Sequence, residues 1–159
     1  DGGNLIRQLR ELGFKGTIVV GNGMNTPNIY PICQKTCDGI LIAQAYSPEL
    51  QTDANRSFVA RFKAQQAGAV PPQLTAQAYA AYQVIAEATE RLNKRQPLEA
   101  KPLREVRILL NEEILRGTYN TPLGKISFSP EGEVIQESFF VAQVRMNPDG
   151  RSGKFALLP

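Results

Sequence analysis

Along the first part of the chain, the spacing of apolar residues alternates between helical and strand-like periods. A helix is predicted first, from apolar residues at helical spacing that end before Gly13: Leu5, Ile6, Leu9 and Leu12. The β-branched run 17–20 then predicts a strand that ends in a glycine loop, Gly21-Asn22-Gly23. A second strand is predicted over 39–43. Both strands lack polar alternation, which is typical of a parallel sheet covered on both faces.

Helical periodicity dominates the middle of the chain. A short helix is predicted over 28–34, near Pro27, and another begins at Asp53 as the capping residue, with Phe58, Val59 and Phe62 on one side. An alanine-rich helix is predicted over 75–92. Its predicted inward face consists of Ala78, Tyr82, Ile85 and Leu92. The polar stretch 93–101 is interpreted as a linker, after which Pro102 begins a helix that ends at Gly117.

The last third of the chain is rich in strand signals. Alternation over 125–128, a turn over 129–132, a strand over 138–145, a turn over 147–150 and a closing strand over 154–158 are predicted. Helices and strands in this order predict an α/β layered fold. We therefore predict a division into an α/β portion at 1–117 and a C-terminal β-hairpin and tail segment at 118–159.

Composition restricts the chemistry of the chain. The 159 residues suffice for one domain with a core, and 21% charged residues with a net charge of +3 indicate a mixed-charge surface. No basic stripe with interleaved aromatics is present, so nucleic acid is not an expected partner. The chain has no histidine, which excludes Ser-His-Asp and Cys-His mechanisms and most zinc sites. We expect no cofactor, no metal site and no enzyme.

Two cysteines, Cys33 and Cys37, lie four positions apart. This is not the redox C-x-x-C spacing, and two cysteines alone do not make a tetrahedral zinc site. At helical spacing their Cα atoms would be about 6 Å apart, which permits a disulfide only if the helix breaks, and we place that break near Thr36. A disulfide and two buried free thiols both remain open.

The loop 21–23 is the first candidate site, because open α/β sheets place ligands beyond the carboxyl ends of their strands. It lacks the third glycine and the Lys-Ser/Thr ending of phosphate-binding loops, which excludes dinucleotide and nucleotide-phosphate binding. Asn22 offers one carbonyl acceptor and two amide donors. The alternative explanation is that Asn22 tolerates left-handed backbone geometry between two glycines.

Several short segments, in order, resemble the type I periplasmic binding proteins, in particular the Leu/Ile/Val receptors. The segments are Leu12–Gly16, Gly21–Asn25, Asp38–Ile42, Asn55–Lys63, Ala78–Ala81 and Gly124–Phe128, with Gly132 in the following turn. The resemblance implies a three-layer lobe with a mostly parallel sheet and a C-terminal β-rich crossing segment. By this resemblance 1–117 is the later part of a second lobe, with a hinge region near 93–117, and the first lobe is absent.

The resemblance also implies a function. We expect an extracytoplasmic or periplasmic substrate-binding component of an ABC transporter, with lipid anchoring left open, that binds an amino acid or a similar small polar solute and docks on the transporter's membrane subunits. The alternative is a ligand-sensing receptor domain of a signalling protein with the same fold. A fragment of such a protein would expose strand edges and apolar surface, so self-association is also expected.

Candidate ligand-contacting residues follow from the same resemblance. Asn22 stands where these receptors usually hold an Asp or Glu that pairs with the ligand's ammonium, and this difference leaves room for a neutral or acidic solute. Leu74 stands near a position where these receptors often have an aromatic residue in contact with the ligand. The alternative interpretation is that Leu74 is a core residue at a helix start. The remaining candidates are Gly23, Met24 and Asn25 beside Asn22, and Tyr46 just past the second strand.

Overall fold

The computed structural model describes residues 1–158, which divide into two compact units. Residues 1–45 together with the segment from Phe139 onward form one, called here the terminal unit, and Tyr46–Ser138 form the other, the central unit. This division differs from the predicted one at 117/118, because the strand that follows Phe139 returns to pair with a strand before Ala45. The assignment of 1–117 to a second lobe stays a prediction.

The predicted alternation of helices and strands, and with it the α/β fold class, is confirmed. The helices are α1 (Gly2–Glu11), α2 (Tyr30–Cys33), α3 (Asp53–Gln65), α4 (Gln73–Arg95) and α5 (Leu103–Arg116). The strands are β1 (Val19–Val20), β2 (Leu41–Gln44), β3 (Tyr119–Thr121), β4 (Gly124–Phe128), β5 (Val134–Gln136), β6 (Phe140–Met146) and β7 (Gly153–Leu157). Short 3-10 helices cover Asn22–Met24, Pro27–Ile29 and Gln34–Cys37.

The terminal unit is built on a four-stranded sheet in the order β1-β2-β6-β7. β1 and β2 run parallel, whereas β2 with β6 and β6 with β7 are antiparallel, so the sheet is mixed. Ile40, Ile42 and Val144 have no exposed surface and form the centre of the core, against which Ile6 of α1 packs. Ile42 and Gln44 bury one face of β2, whereas Ala43 on the other face is exposed and Leu41 is half-buried. Val19 of β1 is 68% exposed, so the predicted cover on both faces of these two strands was wrong.

The central unit combines α3, α4 and α5 with the sheet β3-β4-β5. Helix α4 buries every fourth residue: Ala76, Ala80, Val84, Ala88 and Leu92. Of the predicted inward face, Leu92 is buried as expected, but the prediction was wrong for Tyr82 and Ile85, which are 68% and 51% exposed. A stripe of mostly small side chains lets the helix backbone approach its neighbours closely, and the bulky residues are left on the outside.

One helix cap differs from prediction, and one predicted helix end is confirmed. Thr52, not Asp53, caps α3, since its hydroxyl accepts a hydrogen bond from the backbone N–H of Asn55 over 3.2 Å. Helix α5 ends at Arg116 with Gly117 as its cap residue, as predicted, and Gly117 has φ −82°. A Cβ at Gly117 would collide with the side chains of Tyr119 and Arg91, which explains the glycine.

Candidate functional site

The loop that follows β1 is a single tight turn of 3-10 helix. Gly21 leaves the strand in extended conformation, and Asn22–Met24 form the turn. The backbone N–H of Met24 donates to the carbonyl of Gly21 over 3.1 Å, and that of Asn25 donates to the carbonyl of Asn22 over 3.0 Å. Asn22, Met24 and Asn25 are half-buried and Gly23 is exposed. The structure thus brings four of the six predicted ligand contacts together in one ordered loop.

Neither glycine of this loop is required by the backbone. Gly21 and Gly23 do not have positive φ, and among residues 1–158 only Gln34 and Ala67 are non-glycine residues that do. The explanation of Asn22 by left-handed geometry is therefore wrong. A Cβ added at either glycine would have no heavy atom of residues 1–158 within 4 Å other than those of its chain neighbours. The absence of side chains here leaves open space at the backbone beside Asn22.

The parallel pairing of β1 and β2 places the carboxyl ends of both strands at one sheet edge. Val20 pairs with Ile42, so the loop at Asn22 begins level with the last residues of β2. The last residue of β2, Gln44, is 6% exposed, and its side-chain Nε2 has no hydrogen-bond partner among residues 1–158. Sequence reasoning did not select Gln44. The available signal was a polar residue directly after the apolar run of a buried strand.

Met24 makes its main contacts inside the terminal unit. Its side chain packs against the core, and its thioether lies where a Cβ at Gly2 of α1 would be. Met24 therefore anchors the loop on α1, and its backbone carbonyl accepts from the N–H of Thr26 over 2.9 Å. Thr26 in turn caps the next 3-10 helix by accepting from the N–H of Asn28.

Tyr46 lies in the core of the central unit. Only 2% of it is exposed, and its ring meets that of Phe58 edge-on with centroids 6.4 Å apart. The hydroxyl has no hydrogen-bond partner among the described residues, and burial raises the pKa of this phenol far above its usual value. Tyr46 remains neutral, and its ring packs as a hydrophobic group.

Leu74 is the second residue of α4 and is 69% exposed. Its alternative interpretation as a core residue at the helix start is therefore wrong. The exposed leucine adds little to the packing of the central unit.

Cys33 and Cys37 form a disulfide, with Cα atoms 5.4 Å apart. Helix α2 ends at Cys33, and Gln34 then adopts φ 49° and ψ −141° before the following 3-10 turn. The helix therefore breaks at Gln34 and not at Thr36 as predicted. Both cysteines are fully buried in the core of the terminal unit.

Other kinds of site find no support in the described part of the chain. Residues 1–158 contain no group of three or more His, Cys, Asp or Glu side chains suited to hold a metal ion. Within the same residues, no helix is both long and apolar enough to cross a membrane.

A mixed α/β sheet with an open polar loop at the carboxyl edge of its parallel strands is the architecture of an α/β solute-binding module. The chain belongs to the periplasmic binding protein family, whose model matches residues 1–152. The resemblance seen in the sequence is thereby confirmed.

Relatives and solved structures agree with this assignment. Leu/Ile/Val-binding protein homolog 2 of Brucella abortus (strain 2308) is 26% identical over 156 residues, covering 98% of this chain and 38% of that protein. A leucine-binding protein from Thermotoga maritima superimposes with a TM-score of 0.77 at 28% identity, over 98% of this chain and 41% of that chain. An ABC transporter substrate-binding protein from Desulfitobacterium hafniense in complex with Leu gives a TM-score of 0.71 at 20% identity, over 99% of this chain and 40% of that one, which shows the fold alone.

The chain spans about two fifths of the length of the relatives it matches, since it covers 38% of the Brucella protein and 41% of the Thermotoga one. The match therefore falls within one part of each of these relatives.

Proposed function

We propose that the chain is part of an extracytoplasmic solute receptor that delivers its solute to an ABC transporter, and that the loop Gly21–Asn25 contacts the polar end of that solute. The solute is an amino acid or a similar small polar molecule. The membership of the periplasmic binding protein family supports the receptor role. The names of the relatives, which are Leu/Ile/Val-binding and leucine-binding proteins, support the solute class.

The observation that carries the proposal is the open space at Gly21 and Gly23 on either side of Asn22. Neither positive φ nor crowding within the described residues requires glycine at these two positions. Glycine is the residue that lets a ligand approach the backbone closely. The half-buried amide of Asn22 then lies at the sheet edge where open α/β folds bind their ligands.

The side chain of Asn22 ends in a neutral amide, whose oxygen and nitrogen offer different hydrogen bonds to a solute. Its carbonyl oxygen accepts from a solute ammonium or amide N–H, and its NH₂ donates to a carboxylate or carbonyl. A carboxylate at this place, as the family usually has, would favour only the ammonium. Asn22 therefore widens the accepted solutes toward molecules without a positive charge, at the cost of weaker binding of zwitterions.

Solute capture in the whole protein would follow the resemblance to two-lobed receptors, in which the bound solute shifts an equilibrium between open and closed lobes. The backbone leaves the terminal unit after Ala45 and returns after Ser138. Both connections adjoin neighbouring antiparallel strands, where Gln44 pairs with Phe140. The hinge predicted near 93–117 and the contact of Leu74 with the solute stay predictions.

The test is a thermal-shift screen on the 159-residue chain and on the longest gene product that contains it. The panel holds neutral, basic and acidic amino acids, urea, short amides and small carboxylates. A ligand that prefers the folded state raises the melting temperature by linkage. We expect a shift with small neutral amino acids or amides. A shift with none of the panel would contradict the proposed solute class.

The role of Asn22 is tested on the ligand that the screen identifies. Removal of its amide in Asn22→Ala should weaken binding roughly tenfold, the effect of losing one hydrogen bond to a charged group. Asn28→Ala is the matched control, because Asn28 is exposed and lies just beyond the loop. Equal affinity of Asn22→Ala and wild type would refute the role given to Asn22.

A further inference from the structure

An open cavity of about 260 Å³ lies at the surface of the terminal unit, and no residue of the loop Gly21–Asn25 lines it. Its walls are α1, the segment 33–36 and the turn 149–151. The segment 33–36 precedes β2, and the antiparallel β6 ends beside the start of β2, where the N–H of Met146 donates to Asp38 Oδ1 over 2.9 Å. The cavity is therefore at the amino edge of β2, and the candidate solute loop is at the carboxyl edge.

Five charged residues line this cavity: Arg7, Lys35, Arg151, Glu11 and Asp149. The two carboxylates already have partners. Glu11 lies 3.7 Å from the guanidinium of Arg7, and Asp149 accepts hydrogen bonds from the backbone N–H groups of Arg151 and Ser152 and from the Ser152 hydroxyl. These hydrogen bonds hold the pKa of Asp149 below its usual value, so it stays charged and satisfied locally.

Of the three cations in this lining, Lys35 and Arg151 form no salt bridge within residues 1–158, although the charge of Arg151 helps to lower the pKa of Asp149. Both residues are exposed. The alkyl chain of Lys35 lies over Gly150, where an added Cβ would come within 3.1 Å of Lys35 Cγ. Gly150 has φ +64°. The glycine thus both permits the turn and provides the surface on which the alkyl chain of Lys35 lies.

The wall formed by the segment 33–36 is fixed covalently. The disulfide joins its first residue, Cys33, to Cys37, and Gln34 between them has positive φ. Positive φ at a residue other than glycine, Asn or Asp is uncommon and persists where the surrounding structure enforces it. The cavity wall is therefore a pre-shaped element, and a bound group would not have to order it.

We propose that this cavity binds a small oxyanion, a carboxylate or a phosphate group, between Lys35 and Arg151. An anion there would form charge-assisted hydrogen bonds with both cations, and Arg151 offers the planar fork that suits such groups. The volume is below the roughly 300–1,000 Å³ of sites for drug-sized ligands, so the ligand is a single small anion or the acidic end of a larger molecule. This site is independent of the proposed solute loop.

The experiment is a titration of the ¹⁵N-labelled 159-residue chain, followed by amide chemical shifts. Sodium phosphate and sodium succinate are added separately, with the ionic strength held constant by sodium chloride so that general screening does not change. We expect saturable shifts at residues 34–36 and 149–151 with one or both probes. A response to phosphate alone identifies a phosphate-bearing ligand, and a response to succinate alone identifies a carboxylate.

Two variants distinguish anion binding at this cavity from a general effect of the protein's charge. Lys35→Gln keeps the alkyl chain over Gly150 and should weaken the binding of the responding probe roughly fivefold, since one charge-assisted hydrogen bond is lost. Lys15→Gln removes the same charge from an exposed loop position of the same unit that does not line the cavity, and it should leave binding unchanged. Shifts that do not saturate, or equal weakening in both variants, overturn the proposal.

Discussion

Arg91 of α4 donates a hydrogen bond from Nε to Oε1 of Glu113 on α5 over 2.9 Å, although only 8% of the Glu113 side chain is exposed. Arg95, one helical turn further along α4, pairs with the other carboxylate oxygen. The Arg91 guanidinium also donates to the hydroxyl of Tyr119 over 2.9 Å, and that hydroxyl donates to the carbonyl of Ile114. One carboxylate thus joins α4 and α5, and the same arginine continues the network to β3.

We predict that Glu113→Gln destabilises the chain by about 1–3 kcal/mol, because hydrogen bonds to a charged group are lost and two guanidinium groups lose their common partner. Glu112→Gln is the matched control on the same helix, since its pair with Arg116 spans 3.5 Å between exposed side chains and should contribute less than about 1 kcal/mol. Urea unfolding of both variants measures the difference. Equal destabilisation by the two substitutions would show that the buried Glu113 network stabilises the chain no more than the exposed pair of Glu112 and Arg116.

The same carboxylate predicts a pH dependence. The hydrogen bond from Arg91 holds the pKa of Glu113 below its ordinary value of 4.5, with the nearby charge of Arg95 acting in the same direction. A carboxyl group whose folded-state pKa is depressed stabilises the fold fully above its unfolded pKa, and this contribution is lost as the pH falls through the folded pKa. The melting temperature of the wild type should therefore fall more steeply below about pH 4.5 than that of Glu113→Gln. Parallel pH profiles of the two proteins would contradict this assignment.

The apolar run at β2 predicted the burial of Ile40 and Ile42 correctly, but it also predicted cover on both faces, and Ala43 is exposed. The inward face of α4 could not be predicted in the same way. Its buried stripe runs through Ala80 and Ala88, whereas the exposed Tyr82 and Ile85 are the more hydrophobic residues. Close packing of alanines depends on the neighbouring elements, and the hydropathy of the helix alone does not contain that information.

The candidate site could also be predicted only in part from the sequence. Glycines around Asn22 marked the loop, because glycine directly after a β-branched run is a local signal of a loop. The buried Nε2 of Gln44, which has no hydrogen-bond partner among residues 1–158, was not predictable, since burial and pairing are properties of the folded chain. The placement of Tyr46 in the core of the central unit likewise depends on contacts with Phe58, twelve residues later in the sequence.

Asn55 supports a second stability prediction. It is fully buried, and its Nδ2 lies 2.9 Å from the carbonyl of Leu50 and 3.1 Å from that of Pro48, with Ser47 slightly further away. Asn55→Ala leaves these carbonyls without their donor and should cost about 1–3 kcal/mol in the free energy of unfolding. It should also speed proteolytic cleavage at 47–50. Asn120→Ala, at an exposed position of β3, is the control, and equal effects of both substitutions would refute the role of Asn55.

The disulfide makes a redox prediction. A cross-link that closes so short a loop stabilises by about 2 kcal/mol in the chain-entropy treatment. The denatured chain should therefore show no reactive thiol until a reductant is added, and reduction should lower the melting temperature. A variant with both Cys33→Ala and Cys37→Ala should melt at the same temperature with and without reductant. Two reactive thiols in the unreduced, denatured wild type would show that the bond is absent.

Asn22→Asp tests which end of the solute faces the loop Gly21–Asn25. The substitution keeps the shape of the side chain and replaces an amide that both donates and accepts by a carboxylate that only accepts. A solute ammonium at this place would gain a charge-assisted hydrogen bond, so binding of amino acids should tighten roughly tenfold at neutral pH, and binding of uncharged amides should weaken. Isothermal titration calorimetry measures both. Asn28→Asp introduces the same charge at an exposed position nearby, and an equal gain in that variant would mean long-range attraction only. Weaker amino-acid binding in Asn22→Asp would instead mean that the amide of Asn22 donates to the solute, which places the carboxylate end of an amino acid at the loop.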